Sequence, residues 1–312
     1  MKIESVKQAI KPLNLSATRV VSAEELEYFQ FYQIDFETRF DNVQHYFGSL
    51  QVESFTIACH YYELESAHST CFILHGYYDH SGLYKHLINY CLSRGMSVII
   101  YDLPGHGLSS GKSAEIDSFE TYQTILKGVI SFFQSKIAGD MNIIAQSTGG
   151  AVAMDFILSQ DSHPFKKLVL LAPLIKPVGW GLSAKFVDVI KVFISSMPRV
   201  FTSNSNDKDF VHFLEHEDPL QYRRLSLVWV SALKKWMKYF SALGESSFSP
   251  LVIQGDKDLT VDWQYNMPII KQKFVNAEVV YIKGGFHHLA CETKDIRKEI
   301  YILMDDYFSV SI

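Results

Sequence analysis

Short apolar runs that alternate with helical patterns constrain this 312-residue chain more than any other feature. The runs are Cys71–Leu74, Ser97–Tyr101, Met141–Ile144, Leu168–Leu171, Leu251–Ile253 and Glu278–Ile282, each followed within a few residues by glycine or proline. A continuous apolar run, as opposed to an alternating one, marks a strand buried on both faces, as in a parallel sheet. Helical periodicity over Phe119–Phe133 and Gly150–Leu158 lies between them. Strand, helix, strand, helix predicts an α/β doubly wound fold with a mostly parallel central sheet flanked by helices. Upstream, Val43–Leu50 and Ser54–Tyr62 read as an antiparallel pair around Gln51-Val52-Glu53. The first forty or so residues read as an irregular or helical extension, where Ser22 before Glu24 and Glu25 has the pattern of a helix N-cap.

The alternation stops between Pro173 and Pro250. One helical stripe there runs Phe186, Val189, Ile190, Phe193 and Ile194, and a second runs Leu225, Val228, Trp229, Leu233, Trp236, Met237 and Phe240. Polar, loop-like Ser203–Asp209 separates them. Helical material inserted over strand ends predicts a lid, with ordinary sheet-covering helix the equal alternative for the second stripe. The expected partition is an N-terminal extension over 1–42, a core over 43–172 and 246–312, and a helical lid over 173–245.

Composition removes several function classes. Hydrophobic residues at 47% against 20% charged supply a packed core and exclude disorder. A net charge of −5 leaves no basic footprint for nucleic acid, and Lys234, Lys235 and Lys238 read as a solvated helix face. The four cysteines show no CxxC spacing, so buried free thiols are expected, with no disulfide framework and no metal site. Met1–Gln8 lacks an apolar signal core, and no run approaches the ~18 apolar residues of a membrane span, so a soluble cytoplasmic protein is expected. Aromatics reach 14%, enough either to fill a core or to line an apolar cavity.

Chemistry-bearing residues fall after the strands, where ligands gather in such sheets. Met141–Ile144 runs into Ala145-Gln146-Ser147-Thr148-Gly149-Gly150 and then a helix, the strand–turn–helix context of a nucleophile elbow, with Ala145 in place of the first glycine of G-x-S-x-G. His75-Gly76-Tyr77-Tyr78, after the first buried strand, lies where an oxyanion-hole loop belongs. The two donors expected are the backbone N–H groups of Tyr77 and Thr148. Leu251–Ile253 leads into Gln254-Gly255-Asp256-Lys257-Asp258 and on to Asp262, and the last strand leads into Gly284-Gly285-Phe286-His287-His288. Serine, then acid, then histidine is the chain order of a triad on this kind of sheet. Spacing alone does not choose among Asp256, Asp258 and Asp262, or between His287 and His288.

The motifs resemble those of the monoacylglycerol lipase and lysophospholipase branch of the serine α/β-hydrolases, a group also described as serine aminopeptidase-like. His75–Tyr84 is similar to HGxxEHSxRY, with Asp79 for Glu and Leu83 for Arg. Asp102–Gly111 is close to D-x-x-G-H-G-x-S-x-G, and Glu217–Leu220 carries D-P-L. The resemblance, which spans roughly Phe72 to the C-terminus, implies an α/β-hydrolase fold with an inserted lid. It also implies Ser147 as nucleophile, Asp258 (from G-x-x-D) as acid and His287 (from G-A-x-H-x-L) as base, and it makes Asp102 and His106 part of a structural turn. Ala145 and Gln146 stand where the family has Gly-His.

The function this implies is cleavage of a carboxylic ester, an acyl lipid such as a monoacylglycerol or lysophospholipid, through an acyl-enzyme without a cofactor. The alternatives are a peptidase, amidase or thioesterase on the same triad, or a non-catalytic binding member of the fold. Trp180, Phe186, Phe193 and Trp229 are expected to line an acyl pocket. The expected partner is a small-molecule acyl ester, with peripheral membrane contact through the lid, no nucleic acid and no obligate protein partner.

Overall fold

Five of the six apolar runs form the middle of one eight-stranded sheet in the computed structural model, which describes residues 1–16, 20–137, 139–181 and 194–309; the sixth, Glu278–Ile282, is its edge and is only partly buried. Its strands are β1 (Val43–Val52), β2 (Phe55–Leu64), β3 (Ser69–Leu74), β4 (Met96–Tyr101), β5 (Asp140–Gln146), β6 (Phe165–Leu171), β9 (Leu251–Gly255) and β10 (Glu278–Ile282). Their order is β1-β2-β4-β3-β5-β6-β9-β10. Only β2 runs antiparallel to its neighbours, β1 and β4. The β1–β2 pair is longer than its sequence pattern suggests, because Val52 pairs with Phe55 across a two-residue turn in which Glu53 takes φ +50°.

The lack of alternation in the central strands follows from cover on both faces. Successive side chains point to opposite sides. Phe72, Ile99, Ile143 and Leu170 join one apolar cluster, while Cys71, Ile73, Val98, Ile144 and Val169 join the other. Helices α4 (Phe119–Phe133) and α5 (Thr148–Ser159) close the first face. Three others, α2 (Ala23–Tyr32), α3 (Lys85–Ser93) and α9 (Lys294–Ser309), contribute to the second, after the short α1 (Ile3–Ala9). The four cysteines are buried and free.

The N-terminal segment is more than an appendage. Ser22 Oγ accepts from Glu25 N at 3.2 Å while Glu25 Oε2 accepts from Ser22 N at 2.9 Å, a full capping box. Tyr28, Phe29 and Tyr32 of α2 are buried in the second cluster, and the Tyr32 hydroxyl donates to Asp218 Oδ1 at 2.7 Å.

Between β6 and β9 the chain leaves the sheet. A short ribbon of β7 (Ser196–Pro198) and β8 (Arg224–Ser226) frames α6 (Lys208–His212) and leads into α7 (Leu227–Ala242). The second sequence stripe is therefore α7. It packs its Trp236 against Phe119 of α4, ring centroids 5.0 Å apart, and its Trp229 Nε1 donates to Tyr122 Oη at 3.2 Å. Of the first stripe, Phe186, Val189, Ile190 and Phe193 lie outside the described residues, and Ile194 is exposed. Among the described residues a further helix, α8 (Trp263–Lys273), lies between β9 and β10.

The strand order puts a topological switch at β3. From β3 the chain crosses by α3 to β4 on one side, then returns by α4 to β5 on the other. Loops leaving the carboxyl ends of β3 and β5 consequently open beside each other, and such a crevice is where open α/β sheets hold ligands.

Candidate active site

Strand β5 ends at Gln146 and α5 begins at Thr148, so Ser147 has to reverse the chain in a single residue. It does so at φ +52°, ψ −112°, a conformation that costs a non-glycine residue energy and that the surroundings must impose. The clamps are backbone bonds: Ser147 N donates to Leu171 O at 2.9 Å, and Leu174 N donates to Ser147 O at 3.0 Å. Gly149 lets the turn close, because a Cβ there would strike the Leu74 carbonyl.

The loops after β9 and β10 bring the other two residues in. His287 Nε2 lies 2.8 Å from Ser147 Oγ, and His287 Nδ1 lies 2.8 Å from Asp258 Oδ2. All three side chains are buried. Asp258 also accepts from Thr260 N at 2.8 Å, Val261 N at 3.1 Å and Gln254 Nε2 at 3.0 Å. Burial pushes its carboxyl up, but the adjacent His287 and these donors outweigh burial and hold it below its ordinary value. An ionised Asp258 accepts a hydrogen bond from the Nδ1–H and so keeps the proton on Nδ1, which leaves Nε2 free to accept one from the serine.

The rival residues are engaged elsewhere. Asp256 Oδ1 accepts from Gly284 N at 2.7 Å, and Asp262 caps α8 through Tyr265 N and pairs with Lys176 at 2.6 Å. His288 pairs instead with a second buried acid, its Nε2 3.1 Å from Asp79 Oδ2. Burial opposes its charge, yet Asp79 raises His288 well above its ordinary value, and Asp79 is lowered in turn despite its own burial.

That second pair shapes the loop after β3. Asp79 Oδ2 accepts from Tyr84 Oη at 2.8 Å and from Gly76 N at 3.2 Å. His75 Nε2 accepts from Leu103 N at 2.8 Å, so the proton sits on Nδ1, which donates to Gly76 O at 2.8 Å. The carbonyl of Gly76 and the N–H of Tyr77 belong to one trans peptide and point in opposite directions. With the carbonyl held by His75, the N–H faces the other way, on a loop where Gly76 lies against Ser147 Cβ. Thr148 occupies the first position of α5, whose N–H has no intrahelical acceptor. The tie through His75 was invisible in the sequence, where only the His-Gly dipeptide signalled the loop.

Gln146 has a visible task in place of the family's histidine. Its Nε2 donates to His287 O at 2.8 Å, and its Oε1 accepts from Ala290 N at 3.4 Å. The elbow residue thus holds the histidine loop from below. Asp102 accepts from Ser81 N, Ser81 Oγ and Leu108 N, which locks a turn away from the serine.

A cavity of about 420 Å³ opens over Ser147. Trp180 and Trp229 line it together with Leu174, Val178 and Val230, whereas Phe186 and Phe193 lie outside the described residues. Trp229 stacks on Tyr77 with centroids 3.8 Å apart. Trp236, two turns further along α7, turns to the core and donates to Asp155 Oδ2 at 2.9 Å.

Comparison with known proteins places the chain in a family and a fold. A family model described as serine aminopeptidase, S33, matches residues 65–294. A monoglyceride lipase homolog of Monkeypox virus is 25% identical over 237 residues, which is 73% of this chain and 85% of that protein. The monoglyceride lipase of Homo sapiens is 24% identical over 243 residues, covering 74% of this chain and 78% of its own. A soluble variant of monoglyceride lipase from Saccharomyces cerevisiae, solved with a substrate analog, superposes at a TM-score of 0.71 with 13% identity. That likeness covers 84% of this chain and 94% of the other, and at such identity it speaks for the fold alone. With its family match spanning well over half its length, the chain belongs to the serine aminopeptidase S33 family of α/β-hydrolases, in the monoacylglycerol lipase-like branch.

Proposed function

We propose that this protein, an α/β-hydrolase of the lipase and esterase type, cleaves an acyl-lipid ester through an acyl-enzyme. The observation that carries the reading is one imidazole shared at 2.8 Å on each side between Ser147 Oγ and Asp258 Oδ2. In the proposed cycle His287 Nε2 takes the seryl proton as Ser147 attacks the ester carbonyl, and the Tyr77 and Thr148 N–H groups receive the oxyanion. His287 then protonates the departing alcohol, and water attacks the acyl-serine by the same route in reverse. The residues over 173–245 act as a lid on a core of 43–172 and 246–312, and 1–42 braces the lid through Tyr32 and Asp218. The mostly apolar cavity wall at Leu174, Val178, Trp180 and Val230 suits an acyl chain. Exposed Val178, Met197 and Val200 at its rim suit contact with a lipid surface, although no helix among the described residues is long and apolar enough to cross a membrane.

A fluorophosphonate probe tests the chemistry. Wild type should label at Ser147 and Ser147→Ala should not, and p-nitrophenyl esters should turn over faster with medium or long acyl chains than with acetate. A folded wild type that does not label, or rates that peak at acetate and vanish at octanoate, would refute the proposal.

A further inference from the structure

The wall of the cavity over Ser147 is mostly apolar but includes a group of polar and charged residues. Arg199, Tyr78, Asp79, His288 and Asn204 all line it. They form one connected group. The Arg199 guanidinium lies 3.9 Å over the Tyr78 ring, Tyr78 adjoins Asp79, Asp79 faces His288 at 3.1 Å, and His288 N donates to Asn204 O at 2.7 Å. Within this group the acid and the imidazole compensate each other. Arg199 has no such counterpart: among the described residues no carboxylate lies within ion-pair distance of it. It is held by Gln221 Oε1 through Nη1, by a longer contact of 3.5 Å to Tyr222 O, and by the rings of Tyr78 and Phe201.

A guanidinium offers five N–H donors in a planar fork, and two neutral oxygens on one nitrogen leave most of that fork unused. Stacking between two aromatic faces fixes its plane without neutralising it. A half-buried cation kept in this state, on the wall of a cavity, is preorganised for an oxyanion from outside the protein. Its neighbour Tyr78 follows the oxyanion-loop residue Tyr77, so the fork lines the same cavity as the reacting ester; the apolar residues of that cavity suit the acyl chain, which leaves the cation to the alcohol half.

We infer that Arg199 recognises an anionic group on the alcohol half of the substrate, so that the preferred ester carries a phosphate or carboxylate and is not a neutral glyceride. The inference rests on the ester-hydrolase reading and deepens it. It concerns which ester is preferred, and leaves the bond broken at Ser147 as already described.

Three lauroyl esters that differ only at the third carbon of the alcohol provide the test: lauroylglycerol, its phosphate monoester, and the lauroyl ester of glycerate. The ratio of kcat/KM for each anionic ester to that for the neutral one is the readout, in wild type, Arg199→Gln and Arg199→Lys. Wild type should favour an anionic ester by about 10–100-fold, the range expected of a charge-assisted bidentate contact. Arg199→Gln should collapse that ratio mainly through KM, and Arg199→Lys should restore part of it. Preference for the phosphate ester alone would identify a phosphorylated alcohol as the source of the anion; equal preference for both anions would identify a general anion site. A wild type indifferent to charge, or an Arg199→Gln loss equal on all three esters in a variant that melts normally, would overturn the inference. Fluorophosphonate labelling of wild type separates the two failures. Labelled protein with no charge preference defeats only the role of Arg199, whereas unlabelled protein defeats the hydrolase reading itself.

Discussion

Replacing Asp155 by Asn should stabilise the protein at neutral pH and have little effect in acid. Asp155 sits on α5, the helix that begins at the nucleophile, and is 2% exposed. Burial raises its carboxyl from the ordinary 3.8 to about 6, only partly offset by the Trp236 indole that donates to Oδ2 at 2.9 Å. The folded chain thus binds this proton more tightly than the unfolded chain does. Stability from this group is fully present below the unfolded value near pH 4 and is lost as pH rises through about 6. A shift of about two units at 1.36 kcal/mol each makes the ionised carboxylate cost at most about 3 kcal/mol above pH 7. An asparagine keeps an oxygen for the Trp236 N–H. Its new amide N–H can also serve Gln123, which contacts the same carboxyl and whose Oε1 lacks a donor. Denaturant melts of wild type and Asp155→Asn at pH 4.5, 6 and 7.5 measure the difference. Other groups, such as Asp258 with its lowered value or His288 with its raised one, move both proteins alike and cancel. The variant should gain about 2–3 kcal/mol at pH 7.5, or about 5 °C in Tm for a chain of this length, and under about 1 kcal/mol at pH 4.5. A difference that does not change with pH would show that the carboxylate is not strained by burial and would refute the reasoning.

Three further outcomes follow from the geometry around Ser147. Asp258→Asn should lower kcat on a p-nitrophenyl ester by about 10³–10⁴-fold, while Asp256→Asn and Asp262→Asn stay within about threefold, since only Asp258 reaches the imidazole. His287→Ala should abolish fluorophosphonate labelling. His288→Ala should keep measurable labelling but lose about 3–5 kcal/mol of stability in a denaturant melt, because it leaves the Asp79 charge buried and unpaired. Gln146→Ala, which removes the donor to His287 O, should lower kcat about tenfold with a smaller change in KM; an unchanged kcat would mean that the histidine loop needs no such brace.

What could be read from the chain and what could not divides along a physical line. The parallel core was legible because burial on both faces writes itself into consecutive residues, as in Cys71–Leu74, where Cys71 and Ile73 serve one cluster and Phe72 and Leu74 the other. The elbow was legible for the same local reason: a strand, a sharp turn and a helix are adjacent in sequence. Choice among neighbours was not legible in spacing, and only the motif resemblance pointed to Asp258 and His287. Asp256, Asp258 and Asp262 lie on one loop, and what singles out Asp258 is how Thr260 N, Val261 N and Gln254 converge on it, a matter of turn geometry that composition does not encode. His287 and His288 are adjacent, yet one faces Ser147 and the other faces Asp79, because consecutive side chains on an irregular segment diverge. The least legible features join distant parts of the chain: Tyr32 to Asp218, Arg199 to Tyr78 and Gln146 to His287.

The last of these contacts changes how the departure at the elbow should be read. Ala145 and Gln146 look in sequence like erosion of a motif, and erosion would favour a fold kept for binding after catalysis was lost. A residue that had merely drifted would have no reason to find a partner in a buried site, where an unsatisfied amide is costly. Gln146 is 1% exposed, and its amide meets the carbonyl of His287 on one side and the N–H of Ala290 on the other. Both partners belong to the loop that delivers the imidazole. A glutamine at this position therefore costs the site nothing in unpaired groups, and it ties the serine's strand to the histidine's loop by two hydrogen bonds. The variation at the elbow is matched by its surroundings, which is the pattern expected of a site still held to a working geometry.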